Sequence, residues 1–528
     1  MLRLSWFSFF VTAVACKTVW PKPAQQNNDG NIYTMDESNF VFRATGVTSD
    51  VLANAFLRYY AIIFGSASSP KLGGFNLDRS HAKGQLVGMD VSVKSGDLSL
   101  TLDTDYSYSL VVEADKATVT ATSVYGAMYG METFAQLTDR GVFVTGTAIT
   151  DSPRFKFRAT MIDTSRHWYP LSTIFAHLDA MAYNKLNVLH WHLVDSVSFP
   201  FCSETFPQMC KEGAFSPRHV YTRTDVKRVI AYAADRGIRV LPEFDSPGHA
   251  LKGFEAIPDL LTPCYKDGQP DGTTGPLNPI RNSTYQFLRA FYAEIKEVFT
   301  DKFVHVGGDE VSFACWQSNP EIVEWMEKHP DIKDYSQLES YYEVQLLQIL
   351  KQQNMSYMVW EEIFDNGVQI LPDTVVDVWK GGWNNTIAKV TEAGFHSVLS
   401  APFYLNYISY GLDWLKYYAV EPTDFTCSGP CDKSLVGGVE VCMWSEYVDA
   451  TNFLPRMWPR ASAVAERGWS DKSTTNATDA QIRLQEFRCK LLQRGIPAEP
   501  ISNGGAPPEG GAFCEQEWMG TYTPPWGA

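Results

Sequence analysis

His305-Val306-Gly307-Gly308-Asp309-Glu310-Val311 reads as a short apolar strand that runs into two glycines and then presents two adjacent carboxylates. An aromatic-rich loop follows, through Phe313 and Trp316. On a regular strand neighbouring side chains point to opposite faces, so Asp309 and Glu310 can share one pocket only where the strand stops and the backbone turns. The two glycines permit such a turn. A solvated acidic turn has the same local appearance, so the surroundings of the motif must decide between the two readings.

Outward from the motif, a regular rhythm begins at Arg154: short apolar runs, each ending in polar or aromatic residues, separated by helix-length segments. Eight such strands are predicted, at residues 159–164, 187–194, 239–244, 303–306, 357–360, 375–379, 396–399 and 435–443. Eight strands alternating with helices are the pattern of an α/β protein of the (β/α)8 TIM-barrel type, whose active site lies at the carboxyl-terminal ends of the strands. Residues 17–150 instead alternate strand-like segments (40–43, 85–93 and 107–112) with turns, and end in a helix-like stretch at 124–139. They read as a small α/β domain preceding the barrel. Asp151-Ser152-Pro153 is the expected boundary, because proline disfavours helix in the residue before it. Residues 151–528 then hold the catalytic barrel with a C-terminal helix and tail.

The strand ends carry the chemistry. Strand one has Arg158 at its start and Asp163 to His167 at its end; strand two ends in His190-Trp191-His192-Leu193-Val194-Asp195. Strand three ends in Glu243-Phe244-Asp245-Ser246-Pro247-Gly248-His249, and strand four in the opening motif. Strands five and six end in Trp360 and Trp379, strand seven in Tyr404-Leu405-Asn406, and strand eight in Trp444-Ser445-Glu446. One of His190 and His192 is expected to be a structural histidine, satisfied in the core.

The 528 residues carry a formal net charge of -16, which offers no electrostatic footprint for nucleic acid. Residues 1–16 have a basic start, a short apolar run and small residues at Ala13 and Ala15, the form of a secretory signal peptide. That run is too short for a membrane span, and no later segment qualifies. Secretion makes the ten cysteines candidates for disulfides. Cys202 with Cys210 and Cys427 with Cys431 lie close in loops; Cys264 with Cys315 and Cys489 with Cys514 complete four pairs and, if Cys16 leaves with the signal peptide, leave Cys442 alone in an apolar strand. Zinc is disfavoured, since no close cysteine pair is matched by a second pair at ligand spacing. Sequons at Asn282, Asn354, Asn384 and Asn476 agree with the secretory route.

Paired acids beside tryptophans suggest a carbohydrate. Sugar C–H faces stack on aromatic rings, while hydroxyls need charged or amide partners such as Arg158, Asp195, Asn406 and Glu446. Cleavage of a glycosidic bond ordinarily uses two carboxylates flanking that bond, about 5 Å apart in retaining enzymes and wider in inverting ones. Adjacent residues on one strand end do not straddle a bond in that way, so the geometry favours a substrate that supplies its own nucleophile.

His305–Val311, His190–Asp195, Glu243–His249, Tyr404–Asn406 and Met443–Glu446 together resemble the family-20 glycoside hydrolases, the β-N-acetylhexosaminidases, and above all their lysosomal eukaryotic branch. The likeness runs from Trp20-Pro21 to Cys514-Glu515-Gln516-Glu517. It implies an exo-acting, retaining enzyme in which the substrate's 2-acetamido oxygen attacks the anomeric carbon to give an oxazolinium-like intermediate. Glu310 would be the acid and later the base, Asp309 would orient the acetamide, and Tyr404 would hydrogen-bond its oxygen. Trp360, Trp379 and Trp444 would wall the acetamide and the sugar face. Arg158 and Glu446 would hold ring hydroxyls, with Asp195 and His249 in support, and no metal or other cofactor is expected. The resemblance further implies a homodimer and a lysosomal, vacuolar or extracellular home. In the lysosomal relatives, Asn then Arg at the positions of Asn406 and Tyr407 marks tolerance of sulfated sugars, and Asp then Leu a preference for neutral ones. Asn406 matches the first form, but Tyr407 supplies no charge, so neutral GlcNAc and GalNAc are the expected substrates. Two other readings stay open from the residues alone: a silent carbohydrate-binding barrel, and a chitinase-like endo-hydrolase.

Overall fold

The computed structural model describes residues 18–65, 82–139, 141–407, 409 and 411–502. The expected signal peptide and Cys514 lie outside them. At the amino-terminal end an eight-stranded sheet is built from residues between Gln25 and Asp151, with Gly88–Val93, Ala117–Ala121, Tyr108–Val112 and Phe143–Asp151 as its central strands. Alternation makes one face apolar: Tyr108, Leu110 and Val112 are buried along one strand, and Ala117, Val119 and Ala121 along its antiparallel partner. Two helices cover that face. Val124–Leu137 starts where the Ser123 side chain accepts from the Gly126 N–H, and it is buried along its whole length, with Tyr129 packed edge-on against Trp469 of the barrel domain. The other, Asp50–Phe64, capped by Ser49, was not among the predicted elements.

The eight predicted barrel strands all form and close in chain order: Phe157–Asp163 (β1), Val188–Val194 (β2), Arg239–Phe244 (β3), Phe303–His305 (β4), Ser356–Trp360 (β5), Val375–Val378 (β6), His396–Leu399 (β7) and Val436–Met443 (β8). All pairings are parallel, including β8 with β1. Helices cover the outside, so β1, β2 and β3 are buried at every position, which is why they show no apolar–polar alternation and carry His190, His192 and Glu243 into the barrel interior. β4 ends one residue before the predicted Val306. The Val306 N–H still donates to the Met358 carbonyl, and Gly307 then turns the chain at φ 72°.

Between β3 and β4 lies an unforeseen hairpin, Leu261–Lys266 with Gln269–Leu277. Its Pro-, Gly- and Thr-rich second strand carries no apolar pattern. The Cys264–Cys315 disulfide ties this hairpin to the segment following the acidic motif. There Trp316, Ile322 and Leu338, joined by Val311, Phe313 and Trp325, form a small apolar cluster separate from the barrel core. The Cys202–Cys210 and Cys427–Cys431 disulfides also form, and Cys442 is a buried free thiol. All four sequon asparagines are exposed, although Asn476 also caps the last helix, accepting from the Thr478 and Asp479 N–H groups.

Candidate active site

The turn predicted after β4 is present, and its mechanism is left-handed backbone. Gly307, Gly308 and Glu310 have φ of 72°, 89° and 51°. A Cβ on Gly307 would lie 1.8 Å from Asp245 Oδ1, and one on Gly308 would strike Ile363, so only glycine fits at both positions. The turn cancels the strand alternation. Asp309 Oδ2 and Glu310 Oε2 both lie 3.6 Å from His249 Nε2, so the two carboxylates border one space despite being neighbours in the chain. Their exposure differs: the Asp309 side chain is 10% exposed and that of Glu310 62%.

His249 Nδ1 lies 3.2 Å from Asp195 Oδ1, while Asp195 Oδ2 also takes His192 Nε2 at 2.9 Å and Arg166 Nη2 at 2.7 Å. Burial works against a charge on His249, but the Asp195 hydrogen bond and the Asp309 charge outweigh it and raise the imidazole to about 9. Burial likewise opposes ionisation of Asp195, and hydrogen bonds from His192 and His249 with the Arg166 charge hold it well below the usual carboxylate range. A cationic imidazole therefore stands between a fixed anion and the acidic pair. Behind Asp309, burial and the charges of Asp309 and Glu243 push the Asp245 carboxyl well above its ordinary value. The Gly308 N–H donates to Asp245 Oδ1 at 2.9 Å, which fixes the turn to β3.

Four aromatic rings gather beside the acids. Trp379 stacks on Tyr404 with centroids 6.2 Å apart, and Trp360 meets Trp379 at 6.5 Å and Trp444 at 6.1 Å. Trp360 is 1% exposed, and its indole N–H turns inward to Glu243 Oε1 at 2.8 Å, so it forms the floor of the group; Trp379 and Trp444 are half-buried. Tyr404 is buried, with Tyr407 stacked on it at 5.8 Å and 62% exposed. Asn406 is half-buried; its side-chain oxygen has no partner among the described residues, and its carbonyl accepts from Arg456.

Arg158 is a correction. It is the second residue of β1, at the opposite mouth of the barrel, and 0% exposed. Its Nε donates to the Lys185 carbonyl and its Nη1 to the Phe155 carbonyl, and the guanidinium lies 5.1 Å from the rings of both Tyr106 and Trp469. It fastens the barrel to the preceding domain and cannot meet a ligand at the other end. The arginine that does face the site is Arg166, just past β1. It lies 4.9 Å from the Trp444 ring, paired with Asp163 and Asp195, and shares a cleft of about 680 Å³ with the exposed Glu446. Its place after a strand end was the signal available for it. A second cleft, about 280 Å³, has His249, Glu310 and Ser312 on its rim.

Below the rings the barrel interior is polar. His192 Nδ1 lies 2.6 Å from Glu243 Oε2, and His190 lies 3.0 Å from Glu243 and 3.1 Å from Glu440. Both histidines are fully buried and are raised to about 10, where burial opposes the charge and neighbouring carboxylates win. His190 is thus a buried core histidine held between two carboxylates, whereas His192 also reaches Asp195 and braces the site. His190, Glu243 and His305 are spaced closely enough to hold a metal, as are Asp245, His249 and Asp309. In both sets the side chains already neutralise one another, which explains them without an ion. Two further acids had gone unnoticed in the sequence. Glu361 and Glu362 follow β5, and their side chains reach across to the end of β6.

The chain matches the model of the glycosyl hydrolase family 20 catalytic domain over residues 155–472, and a second model described as beta-acetyl hexosaminidase like over residues 19–137. It is 45% identical to the beta-hexosaminidase subunit alpha of Rattus norvegicus over 533 residues, covering 98% of this chain and 99% of that one. It is 44% identical to the beta-hexosaminidase subunit beta of Homo sapiens, covering 96% and 92%. Among solved structures, the chitobiase of Flavobacterium johnsoniae superposes with a TM-score of 0.79 at 29% identity, covering 91% of this chain and 73% of that one. At 20% identity a mutant Streptomyces plicatus beta-hexosaminidase in complex with GlcNAc shares the fold, with a TM-score of 0.72, covering 92% of this chain and 97% of that one.

Proposed function

The chain belongs to glycosyl hydrolase family 20, and from that premise we propose that it is an exo-acting β-N-acetylhexosaminidase, removing terminal GlcNAc or GalNAc from the non-reducing ends of glycoconjugates or chito-oligosaccharides with retention of configuration. The observation that carries the mechanism is the left-handed Glu310, which brings two adjacent carboxylates to within 3.6 Å of the one His249 imidazole. Two acids so arranged cannot serve as nucleophile and acid on opposite sides of a bond. They suit a reaction whose nucleophile is the substrate's own acetamide oxygen.

In this reading the exposed Glu310 gives its proton to the departing oxygen and then takes one from water. The more enclosed Asp309 holds the acetamide N–H and balances the positive charge that develops on the ring it forms. Tyr404 donates to the acetamide oxygen, and Trp379 and Trp444 flank the group over the Trp360 floor. Confining the acetamide in this way is what makes an internal nucleophile effective, with alignment worth roughly 7–11 kcal/mol of barrier. Arg166 and Glu446, with Asp195 holding Arg166, bind ring hydroxyls; Arg166 takes the role that the sequence reading gave to Arg158.

The test compares aryl β-N-acetylglucosaminide, β-N-acetylgalactosaminide and β-glucoside. Turnover of the first two and none of the glucoside, which has a hydroxyl in place of the acetamide, is expected; rapid glucoside cleavage defeats the proposal. With Tyr407 in place of a cation, 6-sulfated aryl substrates are expected to be poorer by about tenfold, the order of one lost charge-assisted contact. The relatives are named as subunits, which supports an oligomer; a homodimer is the assembly proposed, and sedimentation of the purified protein tests it. The secretory route, to a lysosome, a vacuole or the exterior, is the localisation proposed; among the described residues no helix is long and apolar enough to cross a membrane.

A further inference from the structure

Trp379 is held on two sides by consecutive acids from the neighbouring strand end. Glu361 and Glu362 open the short helix Glu361–Asp365 that directly follows β5. Glu361 Oε2 accepts from the Trp379 backbone N–H at 2.9 Å and the Lys380 N–H at 3.2 Å, which fixes the main chain at the end of β6. Glu362 Oε2 accepts from the Trp379 indole N–H at 2.9 Å, which fixes the rotation of the ring, and Glu362 Oε1 lies 3.2 Å from Lys380 Nζ. A half-buried indole pinned at both backbone and ring nitrogen cannot swing about its side-chain torsions without breaking a bond to a largely buried carboxylate.

We propose that Glu362, with Glu361 behind it, is a positioning residue that sets the width of the acyl pocket through Trp379 and so determines which N-acyl groups the enzyme accepts. The proposal rests on the reading of Trp379 as a wall of that pocket. Its ring lies parallel to Tyr404 within 21°, so a turn about the side chain opens one side of the space beside Asp309. The carboxylate has other neighbours. Lys380 reaches Glu361, Glu362 and Asp365 at 4.0, 3.2 and 3.6 Å, and Asn366 donates to Glu339 on the helix packed behind. Burial, with the Asp309 charge adding, raises Glu362 to about 7 against the indole hydrogen bond and Lys380. Either protonation state keeps an oxygen free to accept from the indole, so the hold on the ring persists in acid.

The experiment measures kcat/KM for aryl N-acetyl- and N-propionyl-β-glucosaminides with wild type, Glu362→Ala, Glu362→Gln, Glu362→Asp and Trp379→Ala. One extra methylene in a closed apolar pocket is rejected by roughly 10–200-fold, and that is the expected wild-type ratio. Glu362→Ala is expected to narrow the discrimination about tenfold, chiefly through kcat, while Glu362→Gln, which retains an acceptor, stays within about twofold of wild type. Glu362→Asp withdraws the carboxylate by one carbon and shifts the ratio in the same direction as alanine, which keeps the test decisive if alanine does not fold. Loss of thermal stability in folded variants with an unchanged ratio, while Trp379→Ala relaxes it, overturns the positioning role and leaves the wall intact. An unchanged ratio in Trp379→Ala as well overturns the wall reading and this proposal with it.

Discussion

Arg158 and Arg166 stand at opposite ends of one barrel strand, and each lies against an indole with carboxylates nearby. At the amino-terminal mouth Arg158 is closed in by Tyr106, Tyr129 and Trp469, while its neighbour Lys185 pairs with Asp151 at 3.1 Å, both side chains 0% exposed. At the carboxyl-terminal mouth Arg166 leans on Trp444, and Glu446 and Glu310 beyond it face outward. The chemical ingredients match. What differs is whether protein closes the last side. A charge enclosed all round works as a fastener between domains, and one with a side left open can grip a ligand.

Substitutions can break that comparison at either mouth. The largest effect is expected from Glu310→Gln: a fall in kcat of about 10³-fold or more, from loss of the proposed general acid, with the unfolding midpoint unchanged because the side chain is mostly in solvent. Asp309→Asn is expected to follow closely. Arg166→Ala should lower kcat/KM by roughly a hundredfold, the loss of charge-assisted bonds worth about 2–3 kcal/mol, and steady-state kinetics on the aryl substrate checks it. Arg158→Met should do the reverse, costing on the order of 3 kcal/mol of stability in denaturant titration, with kcat/KM per folded molecule unaltered. If Arg158→Met weakened substrate binding without weakening the fold, the division between fastener and grip would fail.

The mildest test is pH. His249 and His192 have folded values of about 9 and 10, above the ordinary 6.5, so they bind protons more tightly folded than unfolded. Their contribution is therefore fully present below about pH 6.5 and lost as pH rises through 9 to 10. Asp195 and Glu243 are depressed, so theirs is present above the ordinary carboxylate range and lost in strong acid. A melting temperature that is flat near pH 5–6.5 and declines steadily toward pH 10 is expected, with His192→Gln flattening the alkaline side. A melting temperature that rises over that interval would contradict the assignment.

The barrel was legible because the parallel strands are largely buried on both faces and so read as short, mainly apolar runs between helix-length segments. The two acids were legible because glycines precede them. Arg158 misled although its place at the start of strand one already set it at the mouth away from the active site: the sugar-binding role was assigned to a cation of that strand without weighing its position against Arg166 at the strand's other end. Glu361 and Glu362 stayed hidden for a different reason. Their function lies in reaching sideways to another strand's end, a relation that periodicity along one segment does not contain. The hairpin Leu261–Leu277 escaped because its strands pair with each other in a solvent-facing excursion and need no hydrophobic alternation.

Gly307 has a consequence for how this sequence can vary. Its missing side chain is the space occupied by the Asp245 carboxyl, 1.8 Å from where a Cβ would stand, so the two positions are a single unit of inheritance although 62 residues separate them. In a saturation library of both sites, neither should drift alone. Removing the Asp245 carboxyl would clear the space but not the left-handed backbone, so even the double variant should be rare among active clones.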